Sequence, residues 1–187
     1  MLPIIVTALI ILTAVFYFIS LYNRIIKNKN DREKAFADVD VYLKQRYDMI
    51  PQLVETAKGY MSHEAKTLKE VTKARNKYMA ASNIDEKISS ERTFSKSMRD
   101  LNITIEDYPD LKANENFLKL QNDIKYMEEK IANSRTYFNR TSRVYNDAIE
   151  TFPSSSIAAM YGFKQEVMFD LGEGQRVRLE TAPEIKF

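Results

Sequence analysis

Apolar residues at the start of the chain form a block without a period. Leu2 to Asn23 carry no charge, most of them are strongly apolar, and the first charged side chain is Arg24. A helix needs about 20 apolar residues to cross a hydrocarbon core about 30 Å thick, and this run is long enough. Residues 1–23 therefore read as a transmembrane anchor. A cleavable signal peptide is the main rival. It would have a basic start and a small-residue cleavage site, whereas no Lys or Arg precedes this run and its end, Phe16 to Tyr22, is bulky. A soluble core helix of this length would show a polar stripe.

Beyond the anchor the pattern becomes helical. Leu21, Ile25, Ile26, Phe36, Val39, Leu43, Tyr47 and Ile50 recur at steps of three and four, which predicts a helix continuing out of the membrane. Pro51 lacks the amide hydrogen a helix interior uses and disfavours helical geometry at Ile50. The segment Arg46, Tyr47, Asp48, Pro51 thus reads as a helix-break motif, with Asp48 as cap and Arg46 in a salt bridge nearby. A second helix is expected from about Pro51 to Ala81, with Gly59 in its interior at a close helix crossing or at a cost in helix stability. Ser82 to Asp85 is a turn and cap, and a third helix spans about Asp85 to Glu106, with Ile88, Phe94, Met98, Leu101 and Ile105 inward. Tyr108 to Leu111 is a loop. Asn114 or Asn116 caps a fourth helix that runs to about Thr151, and Ile157 to Tyr161 forms a short turn. In the tail the period falls to two. Val167, Phe169, Leu171, Val177 and Leu179 alternate with polar residues around Gly172-Glu173-Gly174, which predicts a short β-hairpin. Its strand edges make these five residues candidates for self-association.

The expected fold is all-α. A transmembrane helix continues into an antiparallel bundle of about four long helices, residues 24–152, followed by a short helix and a hairpin-like tail, residues 153–187. Only four glycines and five prolines occur, which suits long helices. Tyr17 and Tyr22 fit the aromatic belt at the lipid–water boundary, and Arg24, Lys27 and Lys29 mark the membrane interface just beyond it. With Arg32 and Lys34 they place the body in the cytoplasm and the N-terminus outside, by the positive-inside rule. These basic residues also have the chemistry to touch anionic headgroups.

Charge narrows the function classes. Lys plus Arg is 28 and Asp plus Glu is 26, a net charge of +2. A dedicated nucleic-acid binder usually shows a strong basic excess, so no nucleic-acid partner is expected. The chain has no cysteine, which excludes disulfides, thiolate metal sites and cysteine nucleophiles. His63 is the only histidine. No second histidine, Gly-rich loop or paired-carboxylate spacing completes a site around it, so no catalytic, metal or cofactor-binding residue is assigned and no cofactor is expected. Tyr42, Tyr47, Tyr60, Tyr78, Tyr126, Tyr137 and Tyr145 lie near the stripes, as core edges or as a protein–protein surface.

Several strings resemble the LemA family. They are Leu21-Tyr22-Asn23 to Val39-Asp40, Arg46 to Thr56, Lys58-Gly59-Tyr60 followed by His63-Glu64, and Val71 to Arg75. Tyr108 to Asn114, Arg135 with Tyr137-Phe138-Asn139, Tyr145-Asn146 and the closing Ala182 to Phe187 complete the series. The matches run in order along essentially the whole chain. The resemblance implies a bacterial single-pass membrane protein with a short outside N-terminus and a cytoplasmic bundle of long helices. It supplies no reaction.

The expected function is a non-catalytic scaffold at the inner membrane, with the lipid bilayer and further copies of itself as partners. The alternative is a monomeric adaptor that recruits a membrane or cytoplasmic protein, such as a protease or signalling partner. A hydrolase is the third and weakest reading, since no catalytic constellation supports it.

Overall fold

The first element, α1, is a single helix from Leu2 to Lys58. The computed structural model describes residues 1–170 and contains α2 (Ala65–Ala80), α3 (Ile84–Ile105), α4 (Pro109–Lys112), α5 (Glu115–Glu150) and α6 (Ser154–Tyr161). No strand occurs among the described residues.

The expected break at Pro51 is absent, because α1 continues through it for two more turns. Proline at this position leaves the Tyr47 carbonyl, four residues back, without its intrahelical donor. Arg75 replaces that donor, and its Nε lies 2.9 Å from the Tyr47 oxygen. The chain turns instead between Gly59 and Glu64, where Met61 is fully buried. Gly59 is therefore not inside a helix. A Cβ there would meet only the Thr56 carbonyl at 3.6 Å, an ordinary contact, so no close crossing demands it.

Side-chain caps set the starts of α3 and α5. Asn83 accepts from the Glu86 amide at 2.9 Å, while the Glu86 carboxylate accepts from the Ser82 amide and hydroxyl, both at 2.9 Å. Asn114 caps α5 by accepting from the Phe117 amide at 3.0 Å. The Tyr108–Leu111 loop contains a single helical turn, α4, with Pro109 at its start. Gly162 ends α6 in the left-handed region, φ 70°, and the Phe163 amide reaches back to the Ala158 carbonyl.

Two compact units result among the described residues, one of residues 1–37 with 136–168 and the other of 38–135 with 169–170. In the first, α1, α5 and α6 bury Leu21, Ile25, Tyr145, Ile149, Ile157 and Ala158 together. Phe36 meets Phe138 edge-on at 5.5 Å. Residues 2–17 of α1 take no part in this core and are exposed throughout. α1 is long and apolar enough to cross a membrane. In the second unit Val39, Leu43, Tyr47, Ile50 and Leu53 of α1 are fully buried or nearly so. Tyr47 packs on Tyr78 of α2 at 4.4 Å and on Phe94 of α3 at 4.6 Å, and Phe117, Leu120, Ile124 and Ile131 of α5 complete the core.

The first arm of the expected hairpin is not a strand. Residues 163–170 have no regular structure, and side chains take the Lys164, Glu166 and Val167 carbonyls and the Glu166 amide. Asn146 donates to the Glu166 carbonyl at 3.0 Å and accepts from the Glu166 amide at 2.9 Å, an imitation of one rung of a ladder. Arg32 takes the Val167 carbonyl. Val167 is half-exposed and Phe169 is buried. Leu171, Val177 and Leu179 lie outside the described residues.

Candidate functional site

The most concentrated chemistry is a set of charges inside the second unit. Arg46 of α1 is 1% exposed and Glu91 of α3 is 2% exposed. Ions so buried persist when paired in good geometry. Arg46 Nη2 meets Glu91 Oε2 at 2.5 Å, and its Nη1 meets Glu128 Oε1 of α5 at 2.6 Å. The other Glu91 oxygen accepts from Arg135 Nη2 of α5 at 2.6 Å and from the Ser95 hydroxyl at 2.9 Å. Tyr47 adds a hydrogen bond to Glu91 Oε2. The Arg46 guanidinium also lies 4.6 Å from the Phe94 ring centre and 4.9 Å from that of Tyr47.

The electrostatics follow from this packing. Burial works to raise the Glu91 carboxyl, but the Arg46 and Arg135 charges and the Tyr47 hydrogen bond outweigh it and hold it below the ordinary carboxylate range. Burial and the adjacent Glu91 push the Tyr47 phenol up, so it stays a donor. Beside it, Tyr78 donates to Asp40 Oδ1 at 2.6 Å. Lys87 and Lys44 hold the same carboxylate from either side, both at 2.9 Å. The cluster thus ties α1 to α2, α3 and α5. A carboxylate whose two oxygens already accept four hydrogen bonds is a poor general base. The arrangement fixes helix positions and offers no reacting centre.

An open cleft of about 280 Å³ adjoins this cluster, lined by Glu91, Arg92, Ser95, Arg99, Arg135 and Phe169 among others. The Arg135 guanidinium sits 5.0 Å from the Phe169 ring centre, so the start of the tail docks on a half-buried cation. The first unit holds a second buried arginine. Arg32, 2% exposed, pairs with Glu166 at 3.0 Å and donates to Ser142 at 3.2 Å. Arg32 therefore serves the protein interior and not lipid headgroups.

The residues expected at the membrane interface separate. Tyr17, Arg24 and Lys27 are exposed and Lys29 is half-buried. Tyr22 packs on the end of α6 and the segment after it, 4.8 Å from Tyr161 and 6.1 Å from Phe163. In the helix-break motif, Arg46 and Tyr47 are core members, Pro51 is exposed, and Asp48 caps nothing; it lies 3.8 Å from Arg75 on the surface. His63 is exposed. The tyrosines divide, with Tyr47, Tyr78 and Tyr145 buried and Tyr60, Tyr126 and Tyr137 exposed. Sequence reasoning missed Arg32, Glu91, Glu128 and Arg135. The available signal is that Arg32, Arg46, Glu91 and Arg135 occupy stripe positions where apolar residues belong.

These features define a helical-bundle protein that has an N-terminal helix apolar enough to cross a membrane and, among the described residues, no group of side chains spaced to hold a metal. The chain belongs to the LemA family, whose sequence model matches residues 35–187. It is 28% identical over 179 residues to the protein LemA of Metamycoplasma hominis, covering 92% of this chain and 80% of that protein. LemA is not a known family of enzymes.

Proposed function

We propose that this chain is a non-catalytic scaffold that self-associates at the cytoplasmic face of a bacterial inner membrane and organises or shapes that membrane. One observation carries the reading. The same helix, Leu2–Lys58, bears the exposed apolar run and, further along, the buried Arg46 and Tyr47 of the body, with no linker between them. Whatever binds the body is then joined to the anchor through one chain. Arg24, Lys27 and Lys34 come directly after the apolar run and are exposed, which supports a single pass with the body inside. Exposed Tyr126, Tyr137 and Val144 on α5 supply apolar surface for contacts between copies. Light scattering on protein purified in mild detergent tests the reading. A defined homo-oligomer is expected, and a monomer overturns self-association.

A monomeric adaptor is the second reading. A groove of about 750 Å³ where α1 meets α2 favours it, with Val54, Met61 and Leu68 in its lining and Lys58, Lys69 and Lys73 around them. An acidic amphipathic helix has the matching chemistry.

A further inference from the structure

We propose that the corner formed by the end of α5 and by α6 seats in the lipid–water interface beside the anchor, with Phe152, Met160 and Tyr161 entering the headgroup region of the bilayer. This inference rests on the reading of residues 1–23 as a membrane anchor.

The first argument is composition. Charged residues make up 29% of the chain, yet none occurs from Thr151 to Phe163. Within that stretch Phe152 is 84% exposed, Met160 71% and Tyr161 53%. The opposite side of α6 is already occupied, because Ile157 and Ala158 are buried against Leu21 and Ile25. A short uncharged helix thus packs one face on its own unit and presents the other uncovered.

The second argument is height. α1 and α5 run antiparallel in this unit. Phe36 faces Phe138, Arg32 bonds Ser142, and Leu21 and Ile25 share a cluster with Tyr145 and Ile149. Each step toward the N-terminus of α1 matches a step toward the C-terminus of α5. At 1.5 Å per residue, about 20 residues from Leu2 reach Leu21, which is where a core about 30 Å thick ends. The Tyr161 ring stands at that boundary, 4.8 Å from the Tyr22 ring centre and 6.4 Å from that of Phe18. The exposed corner is therefore continuous with the apolar surface of the span.

The third argument is depth. Asp147 and Glu150 are exposed just before the corner, so their charges hold it at headgroup level and keep it out of the hydrocarbon centre. Tyrosine and phenylalanine suit that zone, and methionine adapts to it. An element seated there enters about 5–10 Å.

The chain contains no tryptophan, which makes the test clean. Single substitutions Phe152→Trp, Met160→Trp, Ile10→Trp and Tyr126→Trp are made in the full chain. Each variant is reconstituted into phosphatidylcholine vesicles without bromine, with bromine near the ester, or with bromine near the methyl end of the acyl chain, the last probing the depth of Ile10. Phe152→Trp and Met160→Trp are expected to lose about half their emission to the brominated lipid, as residues at interfacial depth should. Ile10→Trp should be quenched through the span, and Tyr126→Trp should not be quenched. Quenching of Ile10→Trp without either corner variant overturns the seat and leaves the anchor standing. A corner tryptophan shielded from aqueous iodide yet untouched by bromine means that protein covers the corner, which also overturns the proposal. Loss of quenching at Ile10→Trp removes the anchor and the seat together.

Discussion

Arg75 of α2 donates its Nε hydrogen to the main-chain carbonyl of Tyr47 in α1, 2.9 Å away. This is the acceptor that Pro51 leaves unpaired, and the pairing is what lets α1 pass through a proline without ending. Arg75→Met should destabilise the protein by about 1–3 kcal/mol, the cost of leaving a buried carbonyl unsatisfied. In a Pro51→Ala background the restored amide supplies the missing bond, so the same substitution should cost less. Urea titration of the four proteins checks this, and equal costs in both backgrounds would show that the two residues are not coupled.

Acid should act through Glu91. Its carboxyl lies below its ordinary value of 4.5 in the folded protein. A group depressed in this way contributes stability that is fully present above its unfolded value and is lost as pH falls through the folded one. Melting temperature should therefore decline below about pH 4.5. Glu91→Gln should start lower at neutral pH and decline less. Asp40, also depressed despite burial because Tyr78, Lys87 and Lys44 hold it, adds to the slope that remains.

Removing one partner of the central pair should cost more than removing a surface bridge. Arg46→Met leaves the buried Glu91 without one of its two arginines, and a loss of about 3–5 kcal/mol is expected. Lys58→Met breaks a bridge to Glu55 between two exposed side chains and should cost less than about 1 kcal/mol. Thermal melts in detergent compare them, and similar losses would refute the structural role given to the cluster.

The tail should stabilise its own unit. Asn146→Ala removes both of its hydrogen bonds to Glu166 and should lower stability by about 1–3 kcal/mol without changing the number of subunits. Light scattering and circular dichroism on one sample measure both. A smaller assembly would return the tail to a role between copies.

Topology is open to direct labelling because the native chain lacks cysteine. A cysteine placed before Leu2 should react with an impermeant thiol reagent on intact cells, and Ser82→Cys should be protected. Labelling of Ser82→Cys in unbroken cells would reverse the orientation drawn from Arg24, Lys27 and Lys29.

Local periodicity made much of the fold legible. Leu21, Ile25, Phe36, Val39, Leu43, Tyr47 and Ile50 are all buried, and Asn114 caps α5. The helix end after Lys58 was not legible. Proline carries a strong local signal for a break, but its rescue comes from Arg75, 28 residues beyond the carbonyl it serves. Nothing near Pro51 in sequence announces that contact. The buried charges were hidden differently. Glu91 follows Ile88 and precedes Phe94 at steps of three, so it stands on the inward face, but each charge reads as solvated until its partner is known. Glu91 and Arg135 lie 44 residues apart. The alternation at Val167 and Phe169 misled because the backbone groups at Glu166 and Val167 are taken by Asn146 and Arg32, which no strand pattern encodes.

The Arg32–Glu166 pair has a bearing on how the molecule is made. Its first unit is assembled from the two ends of the described chain, residues 1–37 and 136–168, while residues 38–135 of the second form one uninterrupted stretch. A ribosome delivers the apolar helix first, with Arg32 close behind it and its carboxylate not yet translated. The contiguous stretch has its helices in hand well before Glu166 emerges, and domains generally fold as units during synthesis. Nascent chains arrested before Glu166 should therefore already protect Tyr47 and Phe94 from proteases while the segment around Arg32 stays open to cleavage. Closure around that arginine becomes a signal that translation has reached the tail.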